Sequence, residues 1–146
     1  MKHLAVSVFC LLWLAVTVSP QSSLDIERGF LQNNPKLLLS HFPRNSHILI
    51  SFPEPINFSD QLTGHQAFLF FKKIFATFVT FEFYPDSIPS RPEGNQFIFK
   101  TRWSFRNRNN KNQYLFLVFF SLTKEPSPDK RGFPEWTIKE IKAEKI

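Results

Sequence analysis

Three histidines lie beyond the N-terminal segment of this chain: His41, His47 and His65. Imidazoles can hold metals or move protons, but a zinc site needs three or four converging ligands. The spacing of these three is not that of a helical ligand pair. The only cysteine, Cys10, sits in the N-terminal segment and cannot join them. No metal site is expected. Asp60, Glu82 and Asp86 are the nearest candidates for general acid–base work, which needs a positioned group with a tuned pKa. Glu82 alternates away from Phe81 and Phe83, which points it to water. Asp60 and Asp86 fall in proline-bounded loops, where carboxylates commonly form turns. The chain has four glycines and no glycine-rich phosphate loop, and no serine sits in a nucleophile-elbow setting. Neither a catalytic residue nor a cofactor is assigned.

Lys100, Arg102 and Arg106, continued by Arg108 and Lys111, form a basic strip running into a turn. It reads either as a solvated strand face that discourages edge aggregation or as an anion-binding surface. The formal charge is +6, or +5 without Lys2. That balance suits anionic surfaces such as phospholipid head groups, and an exported chain seldom meets nucleic acid. Asn57-Phe58-Ser59 fits the glycosylation triplet.

The export reading comes from the first residues. Met1-Lys2-His3 is a short basic start, Leu4 to Val18 is apolar or small throughout, and Ser19-Pro20-Gln21-Ser22-Ser23 turns polar. This is the pattern of a secretory signal peptide, and it is too short for a membrane span of about 20 residues. An uncleaved anchor is the alternative. Residues 1–22 are expected to be the signal, with cleavage near Gln21 to Ser23, and residues 23–146 one domain in a periplasmic or secreted location. That domain has no thiol, so neither disulfides nor thiol chemistry enters. Its core must hold it together, and a chain of this length can bury enough apolar surface to do so.

The elements follow from periodicity. Leu24, Ile26, Phe30 and Leu31 mark a short helix, with Ser23 as its cap and Asn33-Asn34-Pro35 as its end. PKLLLSHF gives a second helical turn with Pro35 at its start. HILISF, His47 to Phe52, reads as a strand. Thr63 to about Phe78 is the longest helix. Thr63 and Gln66 form a capping box, and Ala67, Phe70, Phe71, Ile74, Phe75 and Phe78 recur at helical spacing. Val79, Phe81 and Phe83 then alternate with Thr80, Glu82 and Tyr84. Between Asn95 and Arg106, Phe97, Phe99, Trp103 and Phe105 alternate with charged residues, as in a strand half buried and half wet. Tyr114 to Leu122 is apolar on both faces and belongs near the sheet centre. A last strand starts at Trp136, and its apolar parity switches, which places a bulge near Lys139-Glu140. Helices grouped ahead of consecutive strands predict an α+β fold with an antiparallel sheet.

If Phe97, Phe99 and Trp103 face the helices, Tyr114, Phe116, Val118 and Phe120 do too. Leu115, Leu117 and Phe119 then emerge on the outer face, and a contiguous apolar patch there predicts a homodimer.

The TGHQAFLFFKKIF helix and the terminal WTIKEIKAEKI strand, in this order of elements, resemble the nuclear-transport-factor-two-like superfamily. Within it the chain looks like a family of small exported bacterial proteins of unassigned function, over Leu24 to Ile146. The resemblance implies a curved sheet wrapped around a long helix and short N-terminal helices to form a cone. The superfamily holds isomerases, dehydratases and non-catalytic binding modules, so the fold selects no function. The 19 phenylalanines read mainly as core, some of them lining a pocket between the long helix and the concave sheet. Phe71, Phe75, Phe81, Phe97, Phe99, Trp103, Phe116, Phe120 and Trp136 are the candidates. The leading expectation is a non-catalytic exported module for a small apolar ligand or a protein partner. A small hydratase- or isomerase-like enzyme using the cone pocket is the second reading, and an envelope-surface protein with a basic face the third.

Overall fold

The computed structural model describes residues 21–86, 94–125 and 135–146. Residues 1–20, most of the segment expected to act as a signal, and residues 87–93 and 126–134 lie outside the described residues. In chain order the elements are α1 (Gln21–Leu31), α2 (Lys36–Leu39), β1 (His47–Phe52), β2 (Phe58–Thr63) and α3 (Gly64–Thr77). They continue with β3 (Phe78–Pro85), β4 (Gln96–Asn107), β5 (Gln113–Glu125) and β6 (Glu135–Lys145). The strands form one curved, six-stranded sheet in the order β2-β1-β6-β5-β4-β3. One face is covered by the helices. This is the expected α+β class, with two differences in the sheet.

First, β2 is a strand where the sequence predicts a loop. FSDQLT lacks apolar alternation, because its middle residues are exposed, but it pairs with β1 residue for residue from Phe52↔Phe58 to His47↔Thr63. Second, β1 runs parallel to β6, with Ile50 opposite Ile141, while the other four pairings are antiparallel. The sheet is therefore mixed.

Two bulges set which side chains face inward. In β6, Ser121 pairs with Glu140 and Leu122 with Ile138, leaving Lys139 as the extra residue. This is the parity switch visible in the sequence, and it keeps Ile138, Ile141 and Ala143 all buried. In β3 the register shifts between Thr80 and Glu82. Phe81 is the extra residue there and is 49% exposed, whereas Phe78, Thr80 and Phe83 are buried. Strict alternation places Phe81 inside; the bulge turns it out.

The helices are fixed by local chemistry. α1 begins at Gln21, ahead of Ser23, which lies in its first turn rather than capping it. Asn33 closes α1 in the left-handed region (φ 49°). The Asn34 N–H donates to Gly29 O at 2.8 Å and the Asn33 N–H to Phe30 O at 3.2 Å, a Schellman ending. The Asn33 side chain also serves the edge of β3. Its Nδ2 donates to Phe78 O at 3.4 Å, and the Thr80 N–H donates to its Oδ1 at 3.2 Å. α3 starts with the expected capping box: the Gln66 N–H donates to Thr63 Oγ1 at 3.2 Å, and the Thr63 N–H donates to Gln66 Oε1 at 2.9 Å. Gly64 is required next to it, since a Cβ there would lie 2.5 Å from Pro43 O.

Candidate functional site

The inner face of the sheet and the helices enclose an aromatic cluster. Phe71 and Phe75 come from α3, Phe97, Phe99 and Trp103 from β4, and Phe116 and Phe120 from β5; all seven are buried. Trp136 is half-buried and meets Phe97 at 6.0 Å between ring centroids. Phe81 is the exception and faces out. At the centre is Phe30 of α1, which belongs to the apolar stripe of that helix but stands outside the set of pocket candidates. Its ring lies 5.8 Å from Phe71, 5.3 Å from Phe75, 4.4 Å from Phe83, 5.1 Å from Trp103 and 5.8 Å from Phe120. Edge-on and offset packing of this kind adds to plain burial. The Trp103 Nε1–H donates to Thr80 Oγ1 at 2.9 Å, which satisfies the polar atom of the largest buried side chain. The buried candidates thus pack against one another and against Phe30.

Ionisable groups lie at the margins. His41 Nε2 is 2.7 Å from Asp25 Oδ2, and its Nδ1 is 3.4 Å from Trp136 O. Both ring nitrogens face acceptors, and the backbone Ile138 N–H donates to His41 O at 2.8 Å. His41 therefore ties α1 to β6. His47 and His65 are exposed. Asp60 accepts from the Gln61 N–H at 2.7 Å, which occupies a donor on the edge strand β2. Glu82 is exposed, 3.5 Å from Ser104 Oγ. Among the described residues the buried polar side chains are hydroxyls: Ser22, Ser23, Thr80, Thr101, Ser104 and Thr137.

The basic strip divides by role. Asp86 takes Lys100 at 3.1 Å and Arg102 at 3.9 Å. Arg108 Nη2 donates to Phe75 O at 3.0 Å and its backbone N–H to Thr77 O at 2.9 Å, so its cation sits on the carbonyl end of α3. Lys111 Nζ donates to Arg108 O at 2.9 Å. Arg106 remains exposed.

The outer sheet face carries apolar side chains in neighbouring rows. Register places Tyr84, Arg102, Leu117 and Glu144 in one row across β3, β4, β5 and β6. Lys100, Phe119 and Lys142 form the next row, and Glu82, Ser104 and Leu115 lie on the other side. Leu115, Leu117 and Phe119 are half-buried beneath these neighbours, and Tyr84 and Ile98 are 43% and 56% exposed. A separate cleft of about 500 Å³ lies where the link between α2 and β1 meets the start of α3, bounded by Leu39, Phe42, Pro43, Arg44, Gly64 and His65 among others.

No protein-family profile matches the chain, and no curated protein matches it in sequence. Solved structures do. A DUF4783 family protein from Bacteroides uniformis superposes with a TM-score of 0.62 at 13% identity, over 84% of this chain and 94% of that one. A ketosteroid isomerase-like protein from Erwinia carotovora atroseptica gives 0.63 at 10% identity, over 86% and 92%. An NTF2-like protein of unknown function in nutrient uptake from Rhodospirillum rubrum gives 0.60 at 6% identity, over 86% and 96%. At these identities the likeness speaks for architecture, and the architecture agrees with the strand order and helical cover described above. The chain has the cone-shaped α+β fold of nuclear-transport-factor-two-like proteins.

Proposed function

We propose that the protein is an exported, non-catalytic binding module that works through the outer face of its sheet, with a second copy of the chain as its partner. The observation that carries this reading is the outer apolar row set. Phe119, Leu117 and Leu115 run down β5, flanked by exposed Tyr84 and Ile98. At about 4.8 Å between strands and about 3.4 Å per residue, β3 to β6 present a projected face of about 500 Å². Side-chain relief brings this near the roughly 800 Å² per partner of a standard interface.

The face is self-complementary. Arg102 and Glu144 flank Leu117 in one row. A two-fold axis along β5 lays Arg102 of one copy over Glu144 of the partner subunit, and the reverse. Such isologous pairing is the usual route to dimers. Within one chain Arg102 reaches Asp86 only at long range, and its Nε is buried without an acceptor. The cations of the next row, Lys100 and Lys142, each have a carboxylate nearby, Asp86 and Glu144.

The packed interior favours this reading over a small apolar ligand in the cone. Among the described residues the buried polar side chains are all hydroxyls, which favours it over a hydratase or isomerase. The N-terminal pattern supports export. Light scattering at about tens of micromolar is the test, where an interface of this size forms dimers. The expected result is a dimer that Leu117→Lys converts to a folded monomer. A wild-type monomer at that concentration overturns the reading.

A further inference from the structure

The helical layer carries charge differently from the sheet. Among the described residues, four ion pairs involve strand residues or the turn after β3: Lys100 and Arg102 with Asp86, Lys139 with Glu125, and Lys142 with Glu144. A fifth joins His41 to Asp25. The exposed charges described on the helices and on the link after α2 are all basic: Arg28, Lys36, Arg44, Lys72 and Lys73. None of them has an ion pair among the described residues. The acids of the same layer are Asp25, engaged by His41, and half-buried Glu27.

Exposed leucines are interleaved with these bases. Leu24, Leu31, Leu39 and Leu69 are between 40 and 48% exposed. Leu24 and Leu31 lie one turn to either side of Arg28. Leu39 lies one turn after Lys36, and Leu69 one turn before Lys72 and Lys73. The helices form a continuous layer. Gly29 of α1 backs onto Leu38 of α2 so closely that a Cβ would come within 2.8 Å of it. Phe42, just after α2, stacks on Phe71 of α3 at 6.0 Å. The opposite faces are buried through Ile26, Phe30, Leu38, Ala67, Phe71 and Ile74. The leucines and bases therefore face away from the sheet.

Leucines set among bases, with no exposed acid described on these helices, match the interfacial plane of an anionic bilayer. There apolar side chains reach the acyl boundary and cations meet lipid phosphates. A polyanion without an apolar phase gives the leucines nothing. We propose that the outer surface of the helical layer docks on an anionic lipid bilayer, its four exposed leucines entering the headgroup boundary and its five bases facing the phosphates. This surface lies across the molecule from the outer sheet face, so docking does not depend on pairing with a second copy.

The test is co-sedimentation of the protein, as expressing cells process it, with phosphatidylcholine vesicles with and without phosphatidylglycerol. Each base near such a surface contributes about fivefold in partitioning. Binding is expected with phosphatidylglycerol, to weaken in high salt, and to withstand excess inorganic phosphate. Lys72→Gln with Lys73→Gln is expected to weaken it about 25-fold, and Leu69→Ser to weaken it further. Arg106→Gln with Lys124→Gln removes the same charge from the sheet side and is expected to leave it unchanged. All these positions are exposed, and an unchanged melting temperature certifies the fold. Equal binding to both vesicle types, an equal loss in the sheet-side variant, or displacement by inorganic phosphate overturns the proposal.

Discussion

Reversing Glu144 tests the proposed dimer at its most specific point. Glu144→Arg changes an exposed residue on the outer face of β6, so it leaves the core intact. Its ion-pair partner in its own chain is Lys142 at 3.8 Å, a weak surface pair. The proposed two-fold arrangement would bring Glu144 over Arg102 of the partner subunit twice per dimer. Each reversal removes an attraction of about 1 kcal/mol and introduces a repulsion of about 1 kcal/mol. Over the two sites these sum to about 4 kcal/mol, close to a thousandfold in Kd. Arg102→Glu is expected to do the same, but it also sets a carboxylate beside Asp86 and lowers monomer stability, which Glu144→Arg does not. The double variant restores opposite charges across the axis and is expected to recover most of the affinity. Sedimentation equilibrium over a range of concentrations measures all four proteins. If each single reversal leaves Kd unchanged, or the double variant is no better than either one, the axis along β5 is wrong.

Three predictions concern the fold that carries these surfaces. Phe83→Ala is expected to cost about 3–5 kcal/mol, as a large-to-small change in the core, while Phe81→Ser costs under about 1 kcal/mol because the bulge places Phe81 outside; urea unfolding separates them, and equal costs would falsify the bulge. Gly64→Ala is expected to lower the melting temperature by several degrees, since its Cβ would meet Pro43 O at 2.5 Å; calorimetry that finds the variant as stable as wild type rejects this close approach. Thr63→Ala is expected to cost about 1 kcal/mol through loss of the α3 cap. Chemical denaturation should then show Gln66→Ala costing less in that background than alone, because the two side chains act reciprocally; strict additivity speaks against the box.

Much of the cone is legible in the residues. Thr63 and Gln66 announce α3 because a capping box needs only two side chains at fixed spacing. The parity change after Trp136 announces the β6 bulge because apolar residues lie on both sides of it. The β3 bulge is hidden for the opposite reason. Phe78, Phe81 and Phe83 are all phenylalanine, so composition cannot tell the extruded ring from the buried ones, and only pairing with β4 settles it. β2 escapes a sequence reading because an edge strand solvated along its middle has no period. The parallel pairing of β1 with β6 joins segments far apart in sequence, which no local pattern encodes.

The same limit applies to the charges. Lys100, Arg102 and Arg106 stand out as a strip because alternation aligns them, but alignment along a strand says nothing about what lies across the next one. Asp86 folds back onto Lys100 and Arg102, and Arg108 turns to the end of α3. The exposed bases of the helical layer come from three separate helical segments and a link, and no short window of sequence contains them together. Net charge of +6 is visible from composition; that five exposed bases share the helical side with no exposed acid among the described residues depends on the fold. On the sheet face, by contrast, Arg102 and Glu144 lie to either side of Leu117 with opposite charges, a pattern that a partner carrying the same row could match. The two proposed surfaces would therefore answer to different variables, salt for the helical layer and protein concentration for the sheet, and each can be varied while the other is held fixed.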